Sequence, residues 1–140
     1  MKKECFLIVM VTGVLTVSGC VKIMEPPKMI WGSSTKALED ARGTGVIREF
    51  ACAFDDCFGD VIAIAKDNFW EIFIQEKQKG TIIVMGIEGS VNTTEVGIFL
   101  TLQNEEKTQL EVVSLSPLAQ EAASEVLFRA LEKLLDKAVK

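Results

Sequence analysis

The sequence contains no histidine and no tyrosine among its 140 residues. Histidine is the side chain that titrates near neutrality and the commonest metal ligand. Its absence excludes a Ser-His-Asp hydrolase and histidine-ligated zinc. Positive charge is also scarce, with 15 Lys and Arg against 20 Asp and Glu and a formal charge of −5. Nucleic-acid binding needs clustered cations to neutralise phosphates, so no nucleic-acid partner is expected. A phosphate-cradling loop is missing as well: Gly80, Gly86, Gly89 and Gly97 are spread through turn-like segments and precede no helix. They read as turn residues, and Gly97, inside an alternating run, as a bulge or a close backbone approach. No internal repeat or low-complexity segment is visible. At 49% apolar and 25% charged, the composition is that of an ordinary globular chain.

A leader is expected at the start of the sequence. Residues 1–20 begin with Lys2-Lys3 and continue through an apolar stretch of about a dozen residues, the layout of a signal peptide. A transmembrane helix needs roughly 20 apolar residues. At the foot of the stretch, Val17-Ser18-Gly19-Cys20 resembles the lipobox of bacterial lipoproteins. That resemblance implies cleavage before Cys20 and a lipid on its sulfur, which makes Cys20 the expected lipid-attachment residue and the membrane the expected partner. One acyl chain binds a bilayer only marginally, whereas two or three give a durable anchor. Val21 stands where an Asp would retain such a protein at the inner membrane, so the resemblance implies export to the outer membrane of a diderm cell, facing the periplasm. Cleavage would remove Lys2, Lys3 and Glu4, leaving 13 basic and 19 acidic residues, a charge of −6.

Three regions follow: a signal peptide over 1–19, a lipidated N-terminus and tether over 20–32 in which Pro26-Pro27 forbids a continuous helix, and a single α+β domain over 33–140. Ser33 and Ser34 offer N-cap hydroxyls for a helix over 35–42, which Gly43 or Gly45 closes. Val46–Cys52 reads as a strand. Asp55 or Asp56 is expected to cap a helix in which Phe58, Val61, Ile62 and Ala65 recur at helical spacing, with Asn68 as its stop. Four strands then follow, over 69–75, 81–87, 94–103 and 107–115, joined by turns into an antiparallel meander. In the third of them Val96, Ile98, Leu100 and Leu102 alternate with Glu95, Gly97, Thr101 and Gln103, predicting one buried and one wet face. Ser116-Pro117 opens a final helix to about residue 138, with Ala123, Val126, Leu127, Ala130, Leu131, Leu134 and Ala138 as its apolar stripe. The expected fold is an antiparallel sheet of four to five strands packed on one face by two helices, a two-layer sandwich.

Two cysteines lie in the domain, in Phe50-Ala-Cys52-Ala-Phe-Asp-Asp-Cys57-Phe58. Three readings stand side by side. In the first, both are small buried apolar residues; in the second, a strand-to-helix corner brings them into disulfide range; in the third, Cys57 is a thiol acidified by the helix N-terminus. Asp55, Asp56 and Asp60 invite a metal or acid–base reading, but helix capping explains the first two more simply. Glu105-Glu106 reads as a solvated turn. Asn92-Thr93-Thr94 matches a glycosylation acceptor yet reads as a turn entering a strand. Phe69-Trp70-Glu71-Ile72-Phe73-Ile74 is apolar on both faces and reads as a core strand; Trp70 or Trp31, if exposed, would mark a partner or membrane contact.

The order of helix, antiparallel strands and final helix from Phe54 to Lys140 resembles the small domains of outer-membrane assembly lipoproteins of the BamC-like type. The stretch from Trp31 through Asn92-Thr93-Thr94 is similar to small bacterial lipoproteins of uncharacterised type. No catalytic residue, cofactor or metal site is expected. The reading is a noncatalytic interaction or structural module, tethered at the cell envelope and contacting an envelope protein. An alternative is an apolar small-molecule or lipid binder, which would need a cavity between sheet and final helix lined by residues such as Ile98, Leu127 and Leu131. A thiol enzyme using Cys57 would need that sulfur free.

Overall fold

Alternation of apolar side chains along four successive segments gives each strand one face that must leave water, and short turns let neighbours pair antiparallel. In the computed structural model, which describes residues 33–140, this produces α1 (Ser33–Asp40), β1 (Val46–Phe50), α2 (Phe54–Asp67), β2 (Glu71–Glu76), β3 (Thr81–Met85), β4 (Val96–Asn104), β5 (Lys107–Ser114) and α3 (Pro117–Val139). The signal peptide, Cys20, the tether with Trp31, and the side chains of the expected caps Ser33 and Ser34 lie outside the described residues.

The sheet order is β1-β5-β4-β3-β2, and every pair is antiparallel. The protein is thus of the α+β class, a five-stranded antiparallel sheet with two helices, α2 and α3, on one face. Register builds that face in rows: Ile82, Ile98 and Val112 lie side by side, as do Leu100 and Leu110. These residues are buried with Val61 and Ile64 of α2 and Ala123, Leu127 and Leu131 of α3. Each large side chain fully buried there stabilises the fold by roughly 1.5–3 kcal/mol. The final helix starts as its sequence dictates: Ser116 is extended, its Oγ accepts the Ala119 N–H at 3.4 Å, and Pro117 follows in the first turn.

The opposite face departs from expectation. It is not uniformly wet, because α1 covers part of it: Leu38 packs with Ile83, Phe99 and Val113 in a second small core. Gly97 makes the room. A Cβ there would stand 2.8 Å from the Phe99 ring and 3.6 Å from Leu38 Cβ, so this glycine serves a close approach of ring and helix to the sheet. Leu102, expected on the buried face, lies past its edge and is exposed.

The segment 69–76 also differs. Helix α2 ends at Asn68, where the Phe69 N–H donates to the Lys66 carbonyl (3.1 Å) and the Trp70 N–H to the Ala65 carbonyl (2.9 Å). This is the Schellman arrangement, which requires a left-handed residue at its centre, and Phe69 has φ 59°. The strand therefore begins two residues later than expected. Trp70 is buried at 6% exposure while Phe69 is 92% exposed. A bulge between Ile72 and Ile74 then shifts the register, pairing Ile72 with Val84 and Ile74 with Ile83. Val84 and Ile83 belong to opposite faces, so the bulge sends Ile72 to the main core and Ile74 to the small one. Apolar residues on both faces of this edge strand are explained by cover on both sides.

Candidate functional site

The residues singled out for chemistry gather at one end of the sheet, where β1 turns into α2 and the β4–β5 hairpin closes. The corner is pinned by the buried Thr108 hydroxyl, which donates to the Cys52 carbonyl at 2.9 Å. Cys52 and Cys57 are joined there as a disulfide, with Cα atoms 5.8 Å apart. Both are buried. With the two sulfurs bonded, no free thiol remains among the described residues, and the reactive reading of Cys57 has no nucleophile to use.

Asp55 and Asp56 do not cap α2. The cap position is Ala53, extended and without any side-chain hydrogen bond, and the Cys57 N–H donates to the Ala53 carbonyl at 2.9 Å. The reason is the corner: the disulfide and the extended residue Ala53 start the helix at Phe54, which places both aspartates inside the first turn. There they favour the helix dipole rather than cap it, and Asp55 pairs with Lys77 at 3.1 Å on the surface. Asp60, one turn further on, has its carboxyl raised above the ordinary 3.8 by burial and by the nearby charge of Asp56.

These groups line an open cleft of about 980 Å³ between the corner, the hairpin residues Asn104–Lys107, and Leu134, Leu135 and Ala138 near the end of α3. Asp55, Asp56, Asp60, Glu105 and Glu106 face Lys107 as the one cation in its lining. Lys107 is itself paired with Glu49 at 3.5 Å. Among the described residues, no three carboxylates or thiols stand close enough to hold a metal ion. A carboxyl with a raised pKa beside a second carboxyl is a recurrent acid–base pairing, and the cysteines of this corner add no free thiol to it. The arrangement presents negative charge over an apolar floor.

Sequence reasoning missed Glu111. Its place on the alternating β5 suggests a solvated side chain, yet it is 6% exposed. Its Oε1 accepts the backbone N–H groups of Gly43 and Gly45, the latter at 3.3 Å, and its Oε2 lies 3.9 Å from Arg42 Nε. The Arg42 guanidinium stacks over Phe99 at 4.6 Å. This carboxylate holds the α1–β1 connection against the outer face. Only the path of that connection creates the need for it, so the strand pattern carried no signal.

The opposite end of the sheet is apolar at its tips. Phe69 precedes β2, Val91 lies in the β3–β4 loop, and Leu115 and Leu118 flank the start of α3; the last three are 71%, 70% and 61% exposed. Leu115 shares a cleft of about 420 Å³ with Leu38, Thr93, Thr94, Glu95 and Ser116. Asn92 is exposed in this loop, and its carbonyl accepts the Gly86 N–H at 3.2 Å, so Asn92-Thr93-Thr94 is a turn.

The alternative of an apolar ligand site expects a lining of Ile98, Leu127 and Leu131. Ile98, Leu127 and Leu131 are all fully buried in the main core and line none of the clefts described above. No helix among the described residues is long and apolar enough to cross a membrane. No protein-family model matches the chain, and no curated protein matches it.

Proposed function

We propose that the protein is a lipid-anchored lipoprotein of the cell envelope that acts as a noncatalytic interaction module, held by lipid on Cys20 and facing the periplasm from the outer membrane. The observation that carries this reading is Val17-Ser18-Gly19-Cys20 at the foot of a basic-then-apolar leader. Two features of the domain support it. The Cys52–Cys57 bond suits an oxidising compartment outside the cytoplasm. The described residues also offer neither a histidine nor a free thiol with which to assemble a nucleophilic site, and the packed interface at Leu127 and Leu131 favours contact through surfaces over an enclosed ligand.

The test is metabolic labelling of the full chain with an alkyne-tagged fatty acid in a diderm bacterial host, followed by membrane fractionation. The wild type is expected to carry label and sediment with the outer membrane. Cys20→Ala is expected to lose the label. Equal labelling of both chains, or none in the wild type, sinks the anchor. Affinity purification from those membranes should recover a stoichiometric envelope protein; recovery of the chain alone under mild detergents would leave the interaction role without a partner.

A further inference from the structure

We infer that the end of β4 at Leu102 is a docking edge for an extended peptide of a partner protein, a strand whose apolar residues lie on Phe54, Leu100 and Leu102 and whose acidic residues face Arg42. The inference gives the interaction role proposed above its site; it rests on that role and not on the Cys20 anchor.

Strand β4 outruns its neighbour on one side. Its pairs with β3 end at Phe99, opposite Thr81, and the Leu100 N–H then donates to the Gly80 carbonyl at 2.7 Å. With β5 it stays paired as far as Asn104. Backbone groups of successive strand residues point to alternate sides, so the N–H and carbonyl of Leu102 turn the same way as those of Leu100. On that side β3 has given way to the turn before Gly80, and among the described residues no strand meets them. An unpaired edge of this kind is a template for another chain. The outer strands are guarded, β1 by Arg48 and Glu49 and β2 by Glu71, Glu76 and its bulge. Leu102 has no such guard and is 58% exposed.

The surroundings of the edge say what fits it. It borders a cleft of about 680 Å³ between the turn at Gln78-Lys79, the start of α2 and Arg42. Leu100 and Leu102 lie on the helix-covered face, where Phe54 packs against the core. Thr101 lies on the other face, where its hydroxyl accepts from the Arg42 guanidinium at 3.4 Å. A chain extended along Leu102 sends alternate residues to these two faces. One set meets the apolar trio and the next meets Arg42. Charge selects the second set. Asp55, the one carboxylate in the cleft's lining, is paired with Lys77 at 3.1 Å, and Lys79 with Glu76 at 3.1 Å. Arg42 stands 3.9 Å from Glu111, whose Oε1 is taken by the N–H groups of Gly43 and Gly45, and the guanidinium keeps further donors. An acidic residue therefore finds free N–H groups there, while a basic one finds no unpaired carboxylate in the lining. Backbone bonds to Leu102 supply affinity and the alternating side chains supply selection, the division of labour of strand addition.

The test titrates the full chain, purified in detergent, with a short fluorescent peptide alternating valine with aspartate. Before peptide is added, the Leu102 amide hydrogen is expected to exchange freely with solvent, while that of Thr101, directed at β5, is protected. Bound peptide should slow exchange at Leu102 by roughly tenfold or more. Methylating the peptide's backbone nitrogens removes its donors, and Leu102→Pro removes the N–H of the edge; each should weaken binding roughly tenfold. Lysine in place of aspartate should weaken it as well. Leu115→Ser, at the opposite end of the sheet, should bind as the wild type does. The methylated peptide leaves the protein untouched, so its result does not depend on how Leu102→Pro folds. A Leu102 amide already protected in the free chain overturns the inference, because the edge is then filled by the chain itself or by a second copy. Equal binding of the methylated or the lysine peptide overturns it too, as does no binding at all. Affinity purification from membranes separates the failures. An envelope protein recovered equally by wild type and Leu102→Pro refutes this edge alone; no recovered protein and no bound peptide refute the interaction role with it.

Discussion

Replacing Phe69 by glycine should make the protein more stable, although a large hydrophobic side chain is deleted. The ring is 92% exposed and sits at the left-handed centre of the motif that ends α2. A left-handed conformation costs an L-residue roughly 1–2 kcal/mol. Glycine removes that cost but loses roughly 0.5–1 kcal/mol through the greater freedom of its unfolded chain. The net gain for Phe69→Gly is about 0.5–1 kcal/mol. At roughly 4–8 °C per kcal/mol for a domain of this size, Tm rises by about 2–8 °C. Phe69→Ala is the control, because alanine keeps the left-handed cost and loses only the ring; it should lie within roughly 0.5 kcal/mol of wild type. Thermal and urea unfolding followed by circular dichroism measure both. A loss of more than about 1 kcal/mol in Phe69→Ala would mean that the ring is packed. Glycine no more stable than alanine would mean that the residue is not left-handed. Either result refutes the reasoning.

Three further expectations follow from the same structure. Gly97→Ala forces a Cβ to 2.8 Å from the Phe99 ring beneath α1, so urea denaturation should show a loss of about 1–3 kcal/mol, and an unchanged midpoint would show that the ring can move freely. The Cys52→Ala/Cys57→Ala chain loses a cross-link between residues five apart; loop-closure entropy puts the cost at about 2 kcal/mol, or a Tm lower by about 10 °C, and a wild type indifferent to reductant would contradict it. Burial and Asp56 raise the Asp60 carboxyl above 3.8, so its contribution to stability is present below that value and is lost as pH rises through the raised one. Asp60→Asn should therefore be more stable than wild type at neutral pH, with the advantage shrinking as pH falls and gone below about 3.8; an advantage that grows on acidification has the opposite sign and rules this out.

Much of the fold is legible in one dimension because its causes are local. Ser116-Pro117 marks the start of α3 by hydrogen-bond chemistry that needs only four residues. Alternation over 96–100 and helical spacing over 58–65 assign faces to β4 and α2 before any partner is known, and two apolar helix stripes against one sheet face then leave few arrangements. The resemblance of Val17-Ser18-Gly19-Cys20 to a lipobox, on which the proposed anchor rests, is local in the same sense, being carried by four adjacent residues.

What the tertiary structure decided depends on residues far apart in the chain. Burial of Glu111 arises from the return of Gly43 and Gly45 over β5, and nothing near residue 111 announces it. Phe99 is buried on the face expected to be wet because Leu38 lies across it, with Gly97 leaving the space. Phe69 and Trp70, adjacent and both aromatic, go opposite ways because the end of α2 needs a left-handed residue between helix and strand. The gathering of Phe69, Val91, Leu115 and Leu118 at one end of the sheet, and of the acidic cleft at the other, follows from strand direction and order. A sequence specifies hydrogen-bond chemistry and periodicity residue by residue, but a surface is assembled from loops that meet only after the sheet has closed.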